Sequence, residues 1–163
     1  MSHNVDNQIL FAEAIAYAAR KHAGQTRKDG TPYIYHPLKV ADLVKGAGYG
    51  LEYQMAAVLH DTLEDTDATE DEILTFGADV LEAVKLVTRP DGMDEDVYVA
   101  AILQNPIAKA VKNADKIHNM KDLVNCGNPE WGRYYAKKVQ KYYGGKFSKE
   151  LDEAMEQAIA LFS

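Results

Sequence analysis

Six residues in this chain offer chemistry that packing alone does not explain: His36, His60, Asp61, Glu64, Asp65 and Asp115. His60 and Asp61 follow directly on Ala56-Ala57-Val58-Leu59, so the element that buries this apolar stretch delivers an imidazole and a carboxylate to its edge. Read as one continuous helix at about 100° per residue, positions 60, 64, 61 and 65 share less than half of the circumference. A solvated helix face accounts for Glu64 and Asp65, and accounts less well for His60 and Asp61. His36 stands before Pro37 at a helix entrance, where a fixed backbone aims the ring; a cap or a packed side chain is the alternative. Asp115 lies among Val111, Ala114 and Ile117, and a carboxylate bordering a buried stripe is costly unless paired or bound to a cation. Lys112 and Lys116 are its alternative partners at helical spacing. Taken together, two imidazoles and two carboxylates suit Mn²⁺, Fe²⁺ or Zn²⁺ with positions left open for water and substrate. Such a metal lowers the pKa of water from ~16 toward ~7, enough for attack on phosphorus at neutral pH. Glu64 and Asp65, one turn along, are placed to orient that water or to move its proton.

The elements that position these residues read as helices. Ile9, Ala12, Ala16, Ala19 and Ala23 place an apolar stripe on a helix over about residues 6–23. Pro37 suits the first turn of a second helix that buries Val40, Leu43, Val44 and Ala47 and ends at the glycines 46, 48 and 50. A third runs from Glu52 through Leu63. Thr69-Glu70-Asp71-Glu72 is a capping box, and Val80, Leu81, Val84 and Val87 continue as a helix stopped by Pro90-Asp91-Gly92. Asn105-Pro106 opens a helix to about Leu123, and Ser148 caps a last one that faces Leu151, Ala154, Met155, Ala158 and Ile159 inward. Strand alternation is nearly absent; Thr31–Tyr35 allows at most a minor hairpin near residues 26–35. The expected fold is an all-α, compact multi-helix bundle forming one domain over residues 1–163.

The chain has 163 residues, 47% of them hydrophobic and 26% charged, the balance of a globular domain with a real core. Its net charge of −7 disfavours a nucleic-acid partner or an anionic membrane surface. The single cysteine, Cys126, excludes an internal disulfide and fits a reducing compartment. No apolar run approaches the ~18 to 20 residues that span a bilayer. Met1–Asp6 shows neither the basic nor the apolar region of a signal peptide, so a cytoplasmic protein is expected. His3, His22 and His118 stand outside the ligand pattern, and Trp131 and the ten tyrosines read as packing groups ahead of base-stacking ones.

The order His…His-Asp…Asp resembles the signature of the HD-domain metal-dependent phosphohydrolases. The flanking residues are more specific. Arg20-Lys21-His22, Arg27 to Ile34, His36-Pro37, Ala56 to Thr66, Phe76-Gly77, Val87-Thr88 and Lys112 to Met120 resemble the RelA/SpoT alarmone hydrolase domain over about residues 8–125. With no synthetase region, the chain is similar to the single-domain small alarmone hydrolases. The resemblance implies that His36, His60, Asp61 and Asp115 hold Mn²⁺ and that Glu64 and Asp65 are the catalytic acidic pair. It also implies that Arg27, Lys28 and Asn119 contact the nucleotide, and that Arg133 and Tyr135 help to close its site. The implied reaction removes the 3′-pyrophosphate of ppGpp or pppGpp, giving GDP or GTP. Two departures bear on the substrate. The segment Arg89–Asp96 carries one arginine and four acids where the family carries several basic residues, and the region around Trp131–Tyr135 is short. They keep open another nucleotide, such as a deoxynucleoside monophosphate or NADPH, and, in a different class, a non-catalytic nucleotide-sensing module. Oligomeric state is not readable from the sequence.

Overall fold

A helix with six consecutive buried residues must lie at the centre of a bundle, and Leu51–Leu59, buried from Gln54 to Leu59, does. The computed structural model describes residues 2–163, with side chains from residue 5 onward; His3 lies outside the residues whose side chains are described. In chain order the helices are α1 (Ser2–Lys21), α2 (Tyr35–Gly46), α3 (Leu51–Leu59), α4 (Thr62–Asp65), α5 (Glu70–Leu74) and α6 (Ala78–Val87). They continue as α7 (Glu95–Leu103), α8 (Pro106–Asp122), α9 (Pro129–Tyr143) and α10 (Lys149–Leu161). Helix α3 packs against α1, α2, α6 and α8, and α10 closes the far side of the bundle against α8 and α9. One contiguous hydrophobic core runs from Ala14 to Ala158. The fold is all-helical, with no strand among the described residues. The one antiparallel bridge, Thr26 to Pro32, is the minor hairpin the sequence allows.

Local side-chain caps set half of the helix starts. Thr69 and Glu72 form a complete capping box on α5. Asn105 accepts from the Ala108 N–H and Ser148 from the Leu151 N–H, the caps expected for α8 and α10. The same device opens α9, where Asn128 accepts from Trp131 and Pro129 takes the first position. Helix α7 was not anticipated, because its start is hidden in the acidic run. Asp94 accepts from the Asp96 and Val97 N–H groups, and Glu95 and Asp96 fill the first turn, where negative charge favours a helix.

Three expectations are corrected, the smallest being Ala47, which stands exposed at the C-cap of α2 and not on its buried face. The α1 stripe of Ile9, Ala12, Ala16, Ala19 and Ala23 faces solvent, with Ile9 54% exposed. The buried face is Ala14, Tyr17 and Ala18, flanked by Leu10, Phe11 and Ile15, which together remove more apolar area from water than the alanine stripe. The expected helix over Glu52–Leu63 breaks at His60-Asp61. There the His60 ring takes the Ala57 carbonyl at 2.6 Å and the Thr62 hydroxyl donates to the Leu59 carbonyl at 2.7 Å. Side chains thus satisfy carbonyls at the break, and the chain turns so that Asp61 faces the same point as His60.

Thr62 is fully buried, so Thr62→Val removes that bond at nearly constant volume. The expected cost is about 1–2 kcal/mol in urea unfolding, together with weaker metal binding as the turn loosens. Unchanged stability and metal affinity would mean that the break does not depend on Thr62.

Candidate metal centre

Three elements converge on one point. The first turn of α2 supplies His36, the α3–α4 break supplies His60 and Asp61, and the middle of α8 supplies Asp115. One donor atom from each lies within 4.8 Å of the others, with His36, His60 and Asp115 buried and Asp61 half-buried. His36 Nε2 is 3.0 Å from Asp115 Oδ1 and 3.6 Å from Asp61 Oδ2. His60 Nε2 is 3.0 Å from Asp61 Oδ2 and 3.4 Å from Asp115 Oδ1.

The donors crowd a common centre, where His36 Nε2 and Asp115 Oδ1 are within hydrogen-bond distance of each other and His60 Nε2 is left over. His60 Nε2 is buried beside two carboxylates, yet it makes no hydrogen bond. Its other nitrogen donates to the Ala57 carbonyl, which fixes the proton on Nδ1 and leaves the Nε2 lone pair aimed at Asp61 and Asp115. A lone pair pointing at two carboxylates is repulsive unless a cation sits among them. Two imidazole nitrogens and two carboxylate oxygens therefore fit a divalent metal. Without the cation a proton has to serve: burial would lower the His60 pKa, but Asp61 and Asp115 override it and push it up to about 10. Burial likewise works against the Asp61 charge, and His60 holds the carboxyl well below its usual range.

A second layer orients the donors. Tyr33 donates to Asp61 Oδ2 at 2.5 Å. Lys112 Nζ is 3.4 Å from Asp115 Oδ2, leaving Oδ1 toward the centre. His118, which has no role in the sequence pattern, places its Nδ1 2.7 Å from His36 Nδ1. Burial pushes the His118 pKa down to about 4, so at neutral pH its Nδ1 is free to accept. His36 then donates from Nδ1 and presents Nε2 to the centre. The sequence signal was the His118-Asn119 pair one turn beyond Asp115.

Glu64 and Asp65 follow on α4, and burial, reinforced by Asp61, raises both carboxyls above their ordinary values; Lys112 partly offsets this for Glu64. Two cavities flank the centre. The first, about 320 Å³, is lined by Arg27, Lys28, Asn119, Trp131 and Tyr135, among others. Trp131 stacks on Tyr135 with centroids 5.1 Å apart, and Lys28 Nζ lies 4.0 Å from the Trp131 ring, so Trp131 is a wall of the cavity as well as a packing group. Arg27 is held by Asp122 at 2.8 Å and Asn119 at 3.2 Å. The second cavity, about 190 Å³, contains Glu64 and is also bordered by Tyr135. Arg133 lines neither. It is exposed, two residues from both Trp131 and Tyr135 on α9, and therefore on the opposite helix face.

The model described as HD domain matches residues 14–96, a stretch containing the α2 histidine, the His60-Asp61 break and the Glu64-Asp65 pair. The chain belongs to the HD-domain family. The human guanosine-3′,5′-bis(diphosphate) 3′-pyrophosphohydrolase MESH1 is 45% identical over 141 residues, covering 80% of this chain and 77% of that protein. A guanosine-3′,5′-bis(diphosphate) 3′-pyrophosphohydrolase of Aquifex aeolicus is 36% identical over 132 residues, 76% of this chain but 19% of that longer protein. The solved structure of a metazoan ortholog of SpoT that hydrolyses ppGpp matches with a TM-score of 0.75 at 31% identity, covering 93% of this chain and 94% of that one. No helix among the described residues is long and apolar enough to cross a membrane.

Two outcomes test this HD-domain centre. Because His60 keeps a proton until about pH 10 in metal-free protein, divalent metal must expel it at neutral pH. Affinity should rise about tenfold per pH unit between pH 6 and 8, with close to one proton released in calorimetry across buffers. A pH-independent affinity would contradict the proton's place. His118→Leu should weaken metal binding about 10- to 100-fold, while His118→Asn, which keeps an acceptor near Nδ1, should restore most of it.

Proposed function

We propose that this chain is a cytoplasmic, single-domain, Mn²⁺-dependent pyrophosphohydrolase that removes the 3′-pyrophosphate of ppGpp or pppGpp. The observation that carries the reading is the order of parts: an aromatic, cation-bearing cavity, then four metal donors, then a carboxylate pair with raised pKa values. MESH1 and SpoT relatives named for the same reaction support it.

His36, His60, Asp61 and Asp115 would hold the metal, which when bound supplies the Lewis acidity that makes water a nucleophile near neutral pH and stabilises charge on phosphorus. Arg27, Lys28 and Asn119 receive the nucleotide, with Trp131 and Tyr135 offering a flat apolar wall to its base. Glu64 and Asp65 handle the protons. One carboxylate takes a proton from the attacking water, whose oxygen bonds to the phosphorus attached to O3′. The P–O3′ bond breaks, its electron pair stays on O3′, and a carboxyl returns a proton there. The products are the nucleoside 5′-diphosphate or triphosphate and pyrophosphate. The raised carboxyl pKa values suit this exchange, since each group gains and loses a proton closer to neutral pH.

Metal-stripped protein mixed with ppGpp should release GDP and pyrophosphate only after Mn²⁺ is added, as resolved by anion-exchange chromatography, and Asp115→Ala should abolish the release. Glu64→Gln should lower kcat by about 10²- to 10⁴-fold while Mn²⁺ binding persists. No turnover of ppGpp alongside turnover of another nucleotide in the same buffer would overturn the substrate assignment and leave the metal chemistry standing.

A further inference from the structure

The second cavity is distinct in its chemistry from the first. Arg89, Lys112, Lys116 and Lys138 line it, against the carboxylates Glu64 and Glu95. Two of these cations are already neutralised: Arg89 pairs with Glu95 at 2.6 Å, and Lys112 with Asp115 at 3.4 Å. Lys116 and Lys138 are not, as neither has a carboxylate within ion-pair distance among the described residues. Lys116 is half-buried, donates to Tyr135 Oη at 3.2 Å, and rests against the Tyr135 and Tyr143 rings at 5.4 and 5.1 Å. Aromatic faces and one phenol oxygen replace little of the hydration an ammonium loses, so a cation so placed is stabilised most by an incoming anion.

The position of the cavity says which anion. Along α8, Asn119 faces the first cavity, Asp115 the metal centre, and Lys116 and Lys112 the second cavity. Tyr135 stands between the two, within 3.4 Å of Asn119 Nδ2 and 3.2 Å of Lys116 Nζ. A substrate whose nucleoside fills the first cavity and whose reacting phosphorus lies at the centre extends its departing phosphates into the second. Glu64, on the wall of that cavity, lies where the bond is cut.

We propose that the cavity between α4, α8 and α9 is a diphosphate subsite that holds the leaving pyrophosphate through Lys116 and Lys138. This rests on the pyrophosphohydrolase reading above for the origin of the anion, while the binding itself can be measured without turnover. The competing source of the same chemistry is the 5′-diphosphate of the nucleotide, and the two are separable.

Inorganic pyrophosphate and GDP are titrated separately into metal-stripped protein by calorimetry, with circular dichroism checking the fold of each variant. The wild-type chain should bind pyrophosphate, and saturating GDP should not block it. Lys116→Met and Lys138→Ala should each weaken pyrophosphate about 10- to 100-fold and leave GDP within about twofold. Loss of GDP affinity with pyrophosphate unchanged would assign the cavity to the 5′-diphosphate and overturn the proposal. Equal pyrophosphate binding by wild type and both variants, or none by the wild type, would also overturn it. A protein that binds pyrophosphate in this way but does not turn over ppGpp keeps the subsite and loses the substrate; one that turns over ppGpp without binding pyrophosphate does the reverse.

Discussion

Asp61 and Asp115 repel one another, and most of the fold around them is arranged to hold them close regardless. Two like charges within 4.8 Å of each other oppose folding by about 3–4 kcal/mol at an effective dielectric of 20. Tyr33 donates to one, Lys112 stands beside the other, and both imidazoles lie between them. Without metal, a proton held on His60 by Asp61 and Asp115 is what eases the repulsion at the centre. The conflict disappears with a divalent cation, so the protein's own stability is linked to metal binding.

Holding such a centre rigid requires donors on elements that cannot drift apart. Helix α3 supplies this through its buried run Gln54–Leu59, and α2 and α8 both pack directly on it. The break after Leu59 is what an unbroken helix does not offer: it lets adjacent residues, His60 and Asp61, aim at the same point rather than about 100° apart. The carbonyls released by the turn are taken by His60 itself and by Thr62, so the side chain that binds also stabilises the backbone that aims it. That double use links the local structure of five residues to the chemistry of the site.

The four donors were legible because their types and their apolar surroundings are unusual, and a carboxylate such as Asp115 inside a buried stripe needs a reason. Helix caps at Thr69, Asn105 and Ser148 were legible because each is a local interaction within four residues. The buried face of α1 was not, since two stripes there share helical periodicity and only the tertiary partners choose between them. The break at His60-Asp61 was not, because side-chain-to-carbonyl bonds leave no mark on hydropathy. His118 escaped for a related reason: it sits at ordinary helical spacing and its partner His36 is 82 positions away, while of the two lysines offered as partners for Asp115 only Lys112 pairs with it. Arg133 is a residue of the expected type that the fold sets on the helix face away from Trp131 and Tyr135, a placement only the three-dimensional packing reveals.

The acidic segment at 91–96 raised the question of how a chain of charge −7 attracts a polyanion. Three of its four acids are accounted for locally: Asp94 caps α7, Glu95 neutralises Arg89, and Asp96 occupies the first turn, where the helix dipole favours it. The cations that matter come from elsewhere, from α8 and α9 and from the Arg27-Lys28 turn, and they lie on the inner walls of the two cavities. Net charge is therefore the wrong measure of affinity here. At a Debye length of about 8 Å in physiological salt, an anion inside either cavity responds chiefly to the few cations lining it and is largely screened from carboxylates on the far side of the bundle.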